Sequence, residues 1–210
     1  YQGRDDVLAI GIRREDGAQS RPAGFGAQFY NTQGMQYGLT GGVGDSISAA
    51  LYIPQAWSNP GTGHARSDMW GVMSGDAAGL QYPIIGFTNY GGAPRLRVWD
   101  ADAAGGWVDL AAPVMYDAWT EFTIALVGSA YEFSVNGNVV YTDNTIGTTN
   151  AFSAVIMQAY NFFDSTLANA NGANYTAHWS NVGANAVPAP AGAALVLLGL
   201  GLLAARRRAA

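Results

Sequence analysis

The chain has 210 residues, 49% hydrophobic and 12% charged, which is enough apolar material for one sizeable core and too much for a disordered segment. Its ten basic residues are all Arg against fifteen acids; residues 1–186 hold seven Arg and all fifteen acids, or −8, so the body repels nucleic acid and no basic patch argues for such a partner. With no cysteine, disulfides, thiolate metal sites and cysteine nucleophiles are excluded. The chain begins at Tyr1 rather than Met, so a cut or processed N-terminus is expected.

Residues 7–12 form a short apolar run, and residues 25–30 and 35–39 follow as strand candidates, the last with Met35, Tyr37 and Leu39 alternating against Gln36 and Gly38. A Gly41-Gly42-Val43-Gly44 turn leads into residues 45–53. There Ile47, Ala49, Leu51 and Ile53 alternate with Ser46, Ser48, Ala50 and Tyr52 until Pro54 ends the run, as in a half-buried strand. Residues 54–67 are dense in Pro, Gly, Ser and Asn and read as a long surface loop. Strand character resumes over residues 69–73. Residues 82–88 are apolar on both faces, which suits a central strand. Leu96 and Val98 then alternate with Arg95, Arg97 and Trp99.

Residues 119–143 predict three antiparallel strands in series. A turn at residues 127–130 sets Phe122 against Val135, Ile124 against Phe133 and Leu126 against Tyr131 on an apolar face. Glu121 with Asn136, Thr123 with Ser134 and Ala125 with Glu132 make the polar face. A slip of one residue would mix the two, so the pattern selects the register. Asn136-Gly137 closes the next hairpin because both residues tolerate positive φ. A two-residue turn would set Phe133 against Val140; a three-residue loop ending at Asn138 gives the more apolar pairs Val135 with Val139 and Phe133 with Tyr141, and is the expected one. Residues 152–161 are again apolar on both faces, and Tyr175, Ala177 and Trp179 alternate with Thr176, His178 and Ser180. No helical period is sustained before residue 190. Short strands separated by Gly-rich turns argue for an all-β sandwich or barrel.

Trp119, a strand, a short turn, the run YEFSVNG over residues 131–137 and a return strand resemble the laminin-G-like and legume-lectin-like jelly rolls of the concanavalin A superfamily, over about residues 1–185. That resemblance implies an antiparallel β-sandwich. The superfamily's glucanase branch carries paired acids in an E-x-D-x-x-E arrangement, and none of Glu15, Glu121 and Glu132 stands in one. In the register above Glu121 and Glu132 lie roughly 13 Å apart, beyond the about 5 Å or 6.5–9.5 Å that glycoside hydrolysis uses. They read as a solvated sheet face.

The two histidines, His64 in a Gly-rich loop and His178 on a polar strand face, read as surface residues rather than zinc ligands. Asp100, Asp102, Gly105 and Asp109 partly match a calcium loop, but Ala104 interrupts it and the terminal Glu is missing, so a strand connection is the stronger reading. Asp143, Asn144, Asn161 and Asp164 lie at strand ends, where related folds sometimes hold calcium, and turn formation again reads more strongly. Calcium stays open; no cofactor is required. Among the aromatics, Trp99 and Trp107 are the candidate exposed plates for stacking against a sugar ring. Asp100, Asp102, Arg95 and Arg97 are the polar groups beside them.

Residues 187–210, VPAPAGAALVLLGLGLLAARRRAA, differ from everything before them. A Pro/Ala linker over 186–190 precedes an apolar run over 191–205, which as a helix spans roughly 22 Å, and a basic tail over 206–210. Such a segment predicts a membrane anchor with its arginines in the cytoplasm and the sandwich outside. Val187, Pro188 and Pro190, the short apolar helix, and Arg206, Arg207 and Arg208 resemble the bacterial PEP-CTERM sorting signals of the VPxP type, with Ala189 in place of the usual Glu. The resemblance implies an exported protein that is held transiently in the inner membrane and cut by an exosortase-type protease near Pro190. It then stays at the cell surface or in the extracellular matrix of a Gram-negative bacterium that makes an extracellular polysaccharide. Three readings stay open: a non-enzymatic glycan-binding jelly roll, which is the expected one, a secreted polysaccharide hydrolase or lyase, and a structural matrix protein with no specific ligand.

Overall fold

Strand alternation and turn chemistry build an antiparallel β-sandwich in this computed structural model, which describes residues 1–16, 31–74, 82–144, 151–164 and 170–186. The strand expected over residues 25–30, and the tail from 187 to 210 with its sorting motif and apolar helix, lie outside the described residues. Among the described residues no helix is long and apolar enough to cross a membrane. The strands are β1 (Val7–Ile12), β2 (Thr32–Gly42), β3 (Asp45–Ile53), β4 (Arg66–Ser74), β5 (Ile84–Thr88), β6 (Arg95–Trp99), β7 (Trp107–Asp109), β8 (Ala118–Val127), β9 (Ala130–Val135), β10 (Asn138–Asp143), β11 (Ala151–Tyr160) and β12 (Tyr175–Ala186). They form two six-stranded sheets, β1-β12-β3-β8-β9-β10 and β2-β11-β4-β5-β6-β7.

The core lies between the sheets. The first contributes Ile47, Leu51, Ile53, Phe122, Ile124, Leu126, Phe133 and Trp179; the second contributes Met69, Ile85, Phe87, Leu96, Val98, Val155 and Met157, all buried. Period-two alternation puts these residues inward and their neighbours on the outer faces. A buried indole N–H needs an acceptor, and Trp179 finds one across the core at 2.9 Å in Ser67 Oγ, which itself donates to the Gln158 carbonyl. The buried Tyr175 hydroxyl accepts from the amides of Arg66 and Tyr160 and lies 2.8 and 2.7 Å from their carbonyl oxygens, so one side chain of β12 ties the ends of β4 and β11 together.

The β8–β9 hairpin has the expected register, Phe122 opposite Val135 through Leu126 opposite Tyr131. The next hairpin does not. Asn136 and Gly137 both have positive φ and make a two-residue turn, so Val135 faces Asn138, and a bulge between Val139 and Tyr141 then restores the expected pair of Phe133 with Tyr141. Val139 points to solvent in consequence. As an edge strand, β10 tolerates the bulge because its other side carries no ladder among the described strands.

Two further expectations change. Met35 and Tyr37 share the core-facing side of β2, the edge strand of its sheet, but stand 57% and 59% exposed. The loop expected over 54–67 holds two short 3-10 turns, buries Trp57 and gives its last two residues to β4.

Candidate functional site

The outer face of the second sheet carries a polar row that crosses five strands. Gln158 on β11 pairs with Asp68 on β4, Asp68 with Gly86 on β5, Gly86 with Arg97 on β6, and Arg97 with Asp109 on β7. Each of these residues alternates with core residues on its own strand, so all five point away from the core. The row continues to Gly34 on β2, opposite Gln158. A β-carbon at Gly34 or Gly86 would collide with the backbone of the neighbouring strand, so both positions require Gly.

Asp68 is fully buried, and its Oδ2 accepts from Arg66 Nε at 2.6 Å and from Gln158 Nε2 at 2.5 Å. Its Oδ1 leans over Gly86 and has no partner. Gln158 Oε1 and Arg97 Nε are likewise buried and unpartnered. Arg97 is 7% exposed and lies 3.7 Å from the centroid of the Trp107 ring, while Arg66 sits between Trp107 and Tyr160 at 4.8 and 5.2 Å. Burial first, and then the charge of Arg66, lower the pKa of Arg97 to about 9, against the pull of Asp68. Half-buried Trp107 therefore lies against Arg97 and Arg66, on a row that holds one unused donor and two unused acceptors.

The residues singled out from the sequence divide here. Arg97 stands in the row and Trp107 packs on it. Trp99 does face outward beside the arginines, packing edge-on against Trp107 at 5.1 Å, but Gly106 lies against its indole and removes it as an open plate. Arg95 is tied to Asp109 at 2.7 Å and to the Tyr90 and Ala93 carbonyls. Asp100 is spent on its own turn: Oδ1 accepts from the amides of Asp102 and Ala103, and Oδ2 accepts from the Tyr141 hydroxyl at 2.5 Å. Asp102 is exposed. Both Asp100 oxygens are thus engaged within the protein, and no group of three His, Cys, Asp or Glu side chains comes together among the described residues. Asn161 likewise caps a turn, accepting from the Phe163 amide and donating to the Arg13 carbonyl.

His64 is not a plain surface residue. It is half-buried against Tyr90 and Phe162, at 5.1 and 5.5 Å. His178 is half-buried too, stacked at 3.8 Å on Tyr1, and burial lowers its pKa. Glu121 and Glu132 lie on the outer face of the other sheet, in the expected register.

Arg66, Asp68 and Gln158 escaped the sequence reading. One signal was available: Arg66, Asp68 and Trp70 alternate with Ser67 and Met69, and Gln158 is an amide inside an apolar run that suits a central strand. A buried polar residue in such a run needs a partner.

No protein-family model matches this chain, and no curated protein does. Among solved structures it is similar to galectin-Ib of Xenopus laevis, at 9% identity over 73% of this chain and 100% of that one, with a TM-score of 0.45. Congerin II liganded with lactose and MES matches at 11% identity over 73% and 100%, with a TM-score of 0.43. A pseudo β-1,3-glucanase of Mycobacterium tuberculosis matches at 14% identity over 70% of this chain and 66% of that one, with a TM-score of 0.42. The likenesses are distant, and what this chain binds is a question for its own side chains.

Proposed function

We propose that this is an exported bacterial surface or matrix protein whose sandwich binds glycan without cleaving it, through the polar row on the outer face of the second sheet. One observation carries the reading: Gln158 Oε1, Asp68 Oδ1 and Arg97 Nε are buried and unpartnered within a single row. Each such group costs about 1–3 kcal/mol while it stays unsatisfied. Three in one row suit a ligand that both donates and accepts at short intervals and has an apolar face for an indole. A sugar ring has that chemistry. Trp107 is the movable part, because β7 has three residues and pairs only with β6 among the described strands. Entry of the ligand displaces its indole from Arg97.

Binding without cleavage is favoured by the placement of the acids. Asp68 and Asp109 are each held by an arginine, and Glu121 and Glu132 belong to the opposite sheet. Export and surface retention are supported by the tail, in which Val187, Pro188 and Pro190 precede the apolar run and Arg206, Arg207 and Arg208 follow it. The test is affinity electrophoresis of the full chain in gels containing a panel of bacterial exopolysaccharides. Retardation that is lost in Trp107→Ala supports the reading. A chain that migrates identically with and without every polymer is a structural matrix component instead.

A further inference from the structure

We infer that the glycan is acidic, and that one of its carboxylate or sulfate groups pairs with the Arg97 guanidinium beneath Trp107. This deepens the glycan-binding reading and rests on it. Charge accounting on the outer face is the first support. Arg66 is held by Asp68 at 2.6 Å and Arg95 by Asp109 at 2.7 Å, whereas Arg97 makes no ion pair among the described residues. Among the described residues of this face, three arginines against two aspartates leave +1, on a body whose residues 1–186 sum to −8. The cation left over is the most buried of the three, and an unpaired buried charge is the kind a structure does not keep without a counterion.

Hydrogen bonding is the second support. Arg97 Nε is an unused donor, which a carboxylate or sulfate oxygen accepts better than a neutral hydroxyl does. Arg97 Cζ lies 3.7 Å from the centroid of the Trp107 ring, so displacement of that indole exposes the guanidinium, whose N–H groups then meet the anion. The third support is what stands next to it. Asp68 Oδ1 and Gln158 Oε1 are acceptors, and Asp68 repels a second anion, so that end of the row takes hydroxyl donors. A ligand with one anionic group at the β6 end and hydroxyls toward β4 and β11 is a sugar acid or a sulfated sugar. A bare inorganic anion leaves both acceptors unfilled.

The experiment is affinity electrophoresis of the full chain in mild detergent, on four polymers that form two matched pairs. Polygalacturonate is set against its methyl-esterified form, and dextran sulfate against dextran, each at low and high NaCl. The pairs separate carboxylate from sulfate recognition on matched backbones. At least one acidic polymer is expected to bind tenfold or more tightly than its neutral parent, with the difference shrinking at high salt. Arg97→Gln removes that preference and Arg97→Lys, which keeps the charge without the planar fork, retains part of it. Arg4→Gln, the same charge change in the segment before β1, where Arg4 packs over Trp119 of the other sheet, leaves it intact. Circular dichroism melts of each variant check folding. Equal binding to acidic and neutral partners overturns the acidic assignment while glycan binding stands. Equal loss in Arg4→Gln and Arg97→Gln overturns it in favour of diffuse charge attraction. No retardation by any of the four polymers removes both this inference and the reading beneath it.

Discussion

Replacing Arg97 by Met is expected to make the unliganded protein more stable while abolishing its preference for acidic glycan. The side chain is 7% exposed, its Nε has no partner, and its pKa is pulled well below the usual guanidinium range to about 9, mainly by burial. That depression corresponds to a ceiling of ~5 kcal/mol against the charged form. Stacking on Trp107 at 3.7 Å returns about 2 kcal/mol of it. Methionine keeps the apolar stem and the packing, and Asp68 keeps its bonds to Arg66 and Gln158. The net gain is ~2–3 kcal/mol, in the range found when buried charges are replaced by apolar groups of similar volume. For a domain of this size that raises Tm by about 4–10 °C. The sign also has a pH signature. Because Arg97 has a lower pKa folded than unfolded, the unfolded chain binds more protons above about pH 9, and the wild type gains stability there as pH rises. The variant lacks that gain, so the gap between the two narrows above about pH 9. Reading the difference cancels the tyrosines, whose raised pKa values act oppositely in both proteins. Thermal melts by circular dichroism at pH 7 and pH 10 measure both effects. A variant that folds but melts at or below the wild-type temperature would show that Arg97 is already satisfied, and the argument for a counterion would fall with it.

Other outcomes follow from the same geometry. Tyr175→Phe removes the hydroxyl that serves the backbone of Arg66 and Tyr160, and is expected to cost about 1–3 kcal/mol; an unchanged melt would mean that water takes over. Trp107→Ala should weaken binding tenfold or more with a modest loss of stability, whereas Trp99→Ala, beneath Gly106, should lower Tm and leave binding by the folded fraction intact; the reverse ranking in melts and gels would exchange their roles. No turnover of β-glucan, agarose or alginate is expected in reducing-end and unsaturated-product assays, and turnover abolished by Glu121→Gln or Glu132→Gln would contradict both the register and the binding-only reading. Deleting residues 187–210 should move the protein from the membrane fraction to the soluble one with its cooperative melt retained; loss of that melt would assign the tail to the core.

Alternation along single strands determined most of the architecture. The bounds of β3, the apolar face of the β8–β9 hairpin and the inward set on β12 follow from side chains one residue apart, because the pleat alone sends them to opposite faces. The Asn136-Gly137 turn was legible for the same local reason. The bulge before Tyr141 was not, since it reconciles a turn with a core contact several residues away. Among the site residues, Arg97 and Trp107 could be singled out from one strand and one Gly-rich turn. Asp100 attracted the same attention, and its carboxylate bonds the backbone amides of its own turn, because a carboxylate close to free backbone amides bonds to them first. Arg66, Asp68 and Gln158 needed the tertiary structure. Asp68 and Gln158 are 90 residues apart, and only the order β11-β4-β5-β6 in one sheet brings Gln158, Asp68 and Arg97 into a row. Hydrophobic pattern decides which way each side chain points, but which strands become neighbours is decided by long-range pairing, and a site built across strands exists only once that pairing is made.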